Sequence, residues 1–174
     1  MSYERFCASI TDPALAAVAA HWQAVRAGRR MPGWRDIDPA AIRKQLPIVW
    51  SWRWDAALGS FIGRLAGEEI IAVLGTNTHG KRLAEVFRPD AWAAVEQRYR
   101  RVMEEPALMH SSGKVFLMSG GLGEGERIVL PLAADGAQGD GVIGATVYRL
   151  GGRTTAGKAA IDHHGEAIEF FPLG

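Results

Sequence analysis

The chain has 174 residues, with 20 lysines and arginines against 19 aspartates and glutamates, and a formal net charge of +1. This length is typical of one domain, and a hydrophobic share of 48% is enough for an ordinary globular core. The near-neutral charge supplies no field that would attract nucleic acid or an anionic membrane. The single cysteine, Cys7, excludes an intrachain disulfide and a cysteine-based zinc cage.

The sequence also indicates a cytoplasmic protein. No apolar run reaches the roughly 18–20 residues that a membrane-spanning helix needs. Residues 1–12 include Glu4, Arg5 and Asp12 and lack the apolar segment of a signal peptide. We therefore predict a cytoplasmic protein with no membrane span and no nucleic-acid partner.

Residues 1–46 are predicted to form an N-terminal helical extension. Asp12-Pro13 is a helix start, because aspartate caps the first turn and proline fits the first helical position. Asp38-Pro39 repeats this signal and predicts a short helix that Pro47 ends. The first helix should present an apolar face made of Leu15, Val18, Trp22 and Val25.

Residues 47–150 are predicted to form the main domain. Two strands, around 50–54 and 60–66, precede a helical region. In this region Gly75 is predicted to end a first short helix, and Asp90 is predicted to cap a longer helix that runs up to Glu105. Three further strands are predicted at 108–119, 127–132 and 142–148, and residues 151–174 are left as a tail. Strand runs separated by helices predict an α+β domain with one antiparallel sheet.

One stretch of this main domain resembles a known family. In residues 75–87, Gly75, Gly80-Lys81, Leu83, Glu85 and Phe87 follow a pattern found in PAS domains. Three other segments resemble a bacterial branch of stand-alone PAS proteins, namely residues 31–39 with 46–47, residues 64–67, and residues 130–132 with 135–136.

The resemblance implies a five-stranded antiparallel sheet with short helices on one face, while the N-terminal helices would pack on the other. PAS domains sense ligands, light or redox state, or they dimerise and bind partners, and the fold alone does not choose among these roles. The cofactor stays unknown. A covalent flavin adduct is excluded, because this chain has Thr78-His79 where that photocycle needs a cysteine. We expect His79 to be a polar turn residue and not a haem ligand, and we expect no metal site.

Three tryptophans form a stripe on the first strand, because Trp50, Trp52 and Trp54 share one face at a spacing of two residues. This tryptophan stripe could line a cavity beneath the short helices or pack under the N-terminal helix. We favour the second arrangement, within or between chains. The interface candidates are therefore Leu15, Val18, Trp22, Val25, Trp50, Trp52 and Trp54.

Arg64, on the second strand, is either an exposed strand residue or an inward guanidinium that could hold a ligand carboxylate or phosphate. Arg98, Arg100 and Arg101 are predicted to form a solvated helix face. The candidates for lining a ligand cavity are Arg64, Trp92, Tyr99, Met103, Phe116 and Met118.

The sequence predicts a non-enzymatic sensor or adaptor, because it holds no nucleophile elbow, zinc helix or phosphate-binding loop. We expect a homodimer that signals to a separate protein, since 174 residues leave no room for an output domain. One alternative is an enzyme on a cone-shaped α+β fold, with Asp36 or Asp38 as a base beside a histidine. Another is a structural dimerisation module built on Trp22 and the tryptophan stripe.

Overall fold

A six-stranded antiparallel sheet forms the centre of the computed structural model, which describes residues 2–116, 122–149 and 166–174. Across the sheet the strand order is β2-β1-β5-β4-β3-β6, so β2 and β6 are its edges. The strands are β1 (Val49–Asp55), β2 (Ser60–Ala66), β3 (Ala107–Phe116), β4 (Leu122–Leu132), β5 (Gly141–Arg149) and β6 (Glu166–Pro172).

The five predicted strands are present, but the sixth strand corrects the prediction that residues 151–174 are only a tail. Strand β6 pairs with β3 from Ala107 opposite Pro172 to Gly113 opposite Glu166. Strand β4 begins at Leu122, before the start of the strand predicted at 127–132.

In the described part of the chain, five α-helices flank the sheet: α1 (Ser2–Ser9), α2 (Pro13–Val25), α3 (Glu68–Leu74), α4 (Leu83–Val86) and α5 (Trp92–Glu104). Helix α2 begins as predicted, since the Asp12 side chain accepts a hydrogen bond from the backbone N–H of Ala14 at 2.8 Å. Gly75 ends α3 with a left-handed φ of +71°, a conformation that suits glycine. Helix α1 was not predicted. Within the described residues, no helix has the length and apolarity needed to cross a membrane.

Two predicted helix features are wrong. The segment after Asp38 forms successive turns instead of a helix, with the Ala41 N–H bonded to the Asp38 carbonyl three residues back at 3.2 Å, and Pro47 lies within a short 3₁₀ turn at Leu46–Ile48. At α5 the residue before the first turn is Ala91, which has no side chain to cap it, and Asp90 instead forms an ion pair with Arg88 at 3.3 Å.

The two faces of the sheet are covered by different layers. We call the face under α1 and α2 the outer face and the face under α3, α4 and α5 the inner face. Leu15, Val18 and Trp22 pack on the outer face, as expected for the N-terminal helices. Their neighbours on the strands are aliphatic, namely Ile128, Leu130, Leu132, Ile143 and Ala145.

The tryptophan stripe lies on the inner face, so the prediction that α2 covers it is wrong. Trp50 stacks on Tyr99 of α5, with ring centroids 5.1 Å apart, and Trp54 meets Phe61 edge to face. Strand alternation explains the difference: when Trp50 and Trp52 point inward, Val49 and Ser51 point outward towards the N-terminal layer.

Candidate functional site

A group of buried polar side chains interrupts the apolar inner face beneath α5. Each member comes from a different element, and together they bring two arginines, one carboxylate and two hydroxyls into contact. We call this group the inner polar cluster; its members are Arg98 of α5, Ser111 of β3, Arg127 of β4, Thr146 of β5 and Glu166 of β6.

Glu166 is the centre of the inner polar cluster, and its side chain is only 7% exposed. Its Oε1 accepts a hydrogen bond from the Ser111 hydroxyl at 2.7 Å and lies 3.5 Å from Arg127 Nη1. Its Oε2 accepts from Arg98 Nη1 at 2.8 Å. Burial opposes the ionisation of Glu166, but the positive charges of Arg127 and Arg98 outweigh it and hold its pKa below the usual value.

Arg127 connects this carboxylate to the aromatic part of the inner face. Its Nε donates to the Thr146 hydroxyl at 3.2 Å, and the same oxygen accepts the indole N–H of Trp50 at 2.9 Å. Trp50 stacks on Tyr99, whose hydroxyl pKa is raised because the ring is buried. Hydrogen bonding therefore runs from Glu166 to the start of the tryptophan stripe.

The inner polar cluster offers guanidinium and hydroxyl donors together with one carboxylate acceptor. Its donors are fixed by packing on strands and α5, and aromatic rings surround them, which is the usual composition of a small-molecule site. The described residues hold no group of three or more histidine, cysteine, aspartate or glutamate side chains that could ligate a metal ion.

A second buried carboxylate lies on the outer face and makes a different set of contacts. Glu126 accepts hydrogen bonds from the Thr11 N–H and hydroxyl, both at 2.7 Å, and from the Asp12 N–H at 3.0 Å. Its Oε1 also lies 2.8 Å from His110 Nε2. Burial opposes ionisation of Glu126, but the hydrogen bonds outweigh it and lower its pKa. We call Thr11, Asp12, His110 and Glu126 the outer polar cluster, which ties the α1–α2 connection to the sheet.

The structure brings three of the six cavity candidates together. Tyr99 and Met103 are buried in the inner core, and Trp92 packs against the same core. The side chain of Phe116 and all of Met118 lie outside the described residues. Arg64 is on the edge strand and does not join this group.

Arg64 lies instead at the bulge between β1 and β2, with its guanidinium carbon 4.8 Å from the ring centroid of Trp34. Trp34 packs against the outer core, so the idea that Arg64 reaches an inner-face ligand is wrong. Its Nη1 is buried and makes no hydrogen bond within the described residues. Burial lowers the pKa of Arg64, and the charge of Asp140 partly offsets that effect.

Four members of the inner polar cluster were missed from the sequence, and the fifth, Arg98, was assigned to a solvated face. Arg98 is in fact 17% exposed and pairs with Glu166. Arg127 offered a signal, because it is a charge at the start of the apolar run Arg127-Ile128-Val129-Leu130. Glu166 offered none, since residues 151–174 were not assigned to the sheet.

The predicted interface residues are used within one chain. Leu15, Val18 and Trp22 are at most 1% exposed, and the Trp22 indole N–H donates to the Pro131 carbonyl at 2.9 Å. Trp50 and Trp52 are buried on the opposite face, while Val25 and Trp54 are half-buried. Most of these side chains are therefore unavailable to a second copy.

The candidate bases of the enzyme alternative serve the local loop. Asp36 forms an ion pair with Arg29 at 2.8 Å and accepts the Gly33 N–H. Asp38 accepts the Ala40 N–H through its side chain, and its own backbone N–H donates to His21 Nε2 at 3.0 Å. His79 is exposed and forms an isolated β-bridge with Gly63, and its Nδ1 lies 3.1 Å from the Arg64 carbonyl oxygen. These contacts fix turns.

Comparison with known proteins agrees with this architecture. The PAS domain family model matches residues 10–147, most of the chain. The chain belongs to the PAS domain family. The helices between the second and third strands fit that family and differ from the helix-first order of the cone-shaped alternative. No curated protein matches the sequence.

Among solved structures, this PAS domain chain is similar to the Vibrio cholerae VqmA dimer, a LuxR-type receptor seen in the absence of its target DNA. That match has 18% identity and a TM-score of 0.51, and it covers 64% of this chain and 50% of VqmA. A structure of VqmA bound to DPO matches with 19% identity and a TM-score of 0.50, over 64% of this chain and 56% of that chain. At these identities the likeness shows the fold alone, and the chain spans about half the length of VqmA.

Proposed function

We propose that this PAS domain is a non-enzymatic sensor that binds a small molecule on its inner face. The observation that carries the proposal is the inner polar cluster, a fixed set of buried donors and acceptors set among aromatic side chains. PAS domains are generally sensory, and VqmA, which shares the fold, is described as bound to DPO.

We also propose that ligand binding at the inner polar cluster changes the position of α5. The cluster joins α5 to four strands, so a ligand that rearranges Arg98 or Arg127 changes how α5 sits on the sheet. The sensor passes that change to a separate signalling protein in a bacterial cytoplasm and works as a homodimer. The dimer surface lies away from Leu15, Val18 and Trp22, which the chain's own sheet already covers.

Native mass spectrometry of freshly purified protein tests the proposal. We expect wild type to carry a small-molecule adduct that disappears under denaturing conditions. Arg127→Gln should lose the adduct, because it removes the central donor of the cluster. The matched control is Arg53→Gln, which changes an exposed arginine of the same sheet and should keep the adduct. A retained adduct in Arg127→Gln, or a clean chain mass for wild type, would contradict binding at the inner polar cluster.

A further inference from the structure

We propose, on the basis of the sensor function above, that the ligand of the inner face is a small carboxylic acid whose carboxylate replaces that of Glu166 between Arg98 and Arg127. Glu166 then acts as an internal stand-in for the ligand. Three features of the inner polar cluster support this assignment: its charge, the incomplete use of Arg127, and the two glycines beside Glu166.

The charge of the cluster favours an anion. Arg98 and Arg127 supply two positive charges, and among the described residues Glu166 is the one carboxylate in contact with both. The two arginine side chains are only 17% and 16% exposed. A partly desolvated excess of positive charge attracts an anion, and a guanidinium binds carboxylates through paired hydrogen bonds.

Arg127 is not fully engaged. Its Nη1 lies 3.5 Å from Glu166 Oε1, a long separation beside the 2.8 Å bond from Arg98. Its Nε donates to Thr146, and Tyr148 lies beside the guanidinium as a further acceptor. An arginine carries five N–H donors, so Arg127 has donors to spare for a second carboxylate oxygen.

Two glycines lie beside Glu166 in the sheet. Gly113 of β3 lies opposite both Glu166 of β6 and Gly125 of β4. Strand alternation places Gly113 on the same face as Ser111, and Gly125 on the same face as Arg127. The two glycines add no side chain to this part of the inner face, and Ile168 and the ring of Tyr148 lie on neighbouring strands of the same face. The site therefore suits a carboxylate with a compact apolar or aromatic body.

Only the first residue of β6 has to move for the exchange. Phe171 remains anchored by edge-to-face packing on Phe6 of α1, and Phe170 remains beneath the guanidinium of Arg101. The ladder from Ala107 to Ser112 of β3 also stays in place. Ligand binding thus releases the Glu166 side chain while the rest of β6 stays paired.

The test is a titration with matched carboxylate and amide probes: benzoate with benzamide, and propionate with propionamide. Binding is monitored by NMR through the resonance of the Trp50 indole N–H. We expect carboxylates to bind wild type and amides not to bind. Glu166→Gln removes the internal competitor and should tighten carboxylate binding by about tenfold or more, while Arg98→Gln should abolish it. The control Glu169→Gln changes an exposed glutamate of the same strand, paired with Arg5, and should leave affinity unchanged.

If Glu166→Gln does not fold, Glu166→Asp replaces it, since it keeps the charge but shortens the reach to Arg98 and should also tighten binding. Amides that bind as well as carboxylates, or an affinity that Glu166→Gln leaves unchanged or weakens, would overturn the proposal. A neutral adduct in the native mass spectrum with no carboxylate binding would overturn it while leaving the sensor function in place. The absence of any adduct and of any probe binding would overturn both.

Discussion

Among the described residues, each face of the sheet buries one glutamate, and the two glutamates have opposite surroundings. Glu126 on the outer face accepts three hydrogen bonds from the α1–α2 connection and meets His110, so its contacts lie mainly between the N-terminal segment and the sheet. Glu166 on the inner face lies between two arginines, one of which has donors to spare. The outer polar cluster is complete and holds the fold together. The inner polar cluster joins α5 to four strands and is the site that we propose for a ligand.

The largest expected effect is on the outer face. Trp22→Ala should lower the free energy of unfolding by about 3–5 kcal/mol, because it opens a cavity and leaves the Pro131 carbonyl without its indole donor. Urea unfolding followed by circular dichroism measures this change. Val25→Ala, on the same helix but half-buried, is the control and should cost much less. A loss below about 1 kcal/mol for Trp22→Ala would mean that the packing of α2 on the outer face contributes little to stability.

The second effect concerns the charge of Glu126. Its pKa is lower in the folded protein than in the unfolded chain, so it stabilises the fold above about pH 4.3, and this contribution is lost as pH falls through its folded value. Glu126→Gln should cost about 2 kcal/mol at pH 7 and should flatten the loss of stability in acid. Urea unfolding at pH 7 and pH 3.5 compares the variant with wild type. If the difference in unfolding free energy between wild type and Glu126→Gln is the same at both pH values, the charge of Glu126 contributes nothing to stability.

A smaller stability effect is expected on the inner face. Arg127→Gln should lower the free energy of unfolding by about 1 kcal/mol, because Arg98 and Ser111 still satisfy Glu166 after the change. Urea unfolding at pH 7 measures this loss, and the loss in Glu126→Gln is the reference for comparison. If Arg127→Gln costs more than Glu126→Gln, the inner polar cluster is a structural element and the contrast between the faces fails.

The smallest expected effect is at the start of α5. Asp90→Asn should change the free energy of unfolding by less than about 0.5 kcal/mol, because Asp90 makes only an exposed ion pair with Arg88. The loss of a true helix cap costs about 1 kcal/mol, and the Asp12→Ala variant of α2 supplies that reference. Similar losses in the two variants would restore Asp90 as the cap that the sequence predicted.

The sequence predicted elements whose signals are local. Asp12-Pro13 defined the start of α2, Gly75 the end of α3, and alternation along 50–54 defined β1. Helix α1 and strand β6 were missed because their stability comes from distant contacts, such as the packing of Phe6 on Phe171. An isolated helix of eight residues is marginal in water without such packing.

The candidate site was harder to predict for the same reason. Alternation shows that the tryptophan stripe shares one face, but it does not say which layer covers that face, and both layers offered aromatic partners. The partners of Arg127 come from β5 and β6, which only the folded topology brings together. A single arginine in an apolar strand was the one local sign of the site.

Amide hydrogen exchange of the protein as purified, compared with the same protein after denaturation, removal of small molecules and refolding, tests the division between the two faces most directly. We predict that ligand removal lowers protection in α5 while α1 and α2 keep theirs. A change confined to α1 and α2, or no change in any described element, would contradict the account.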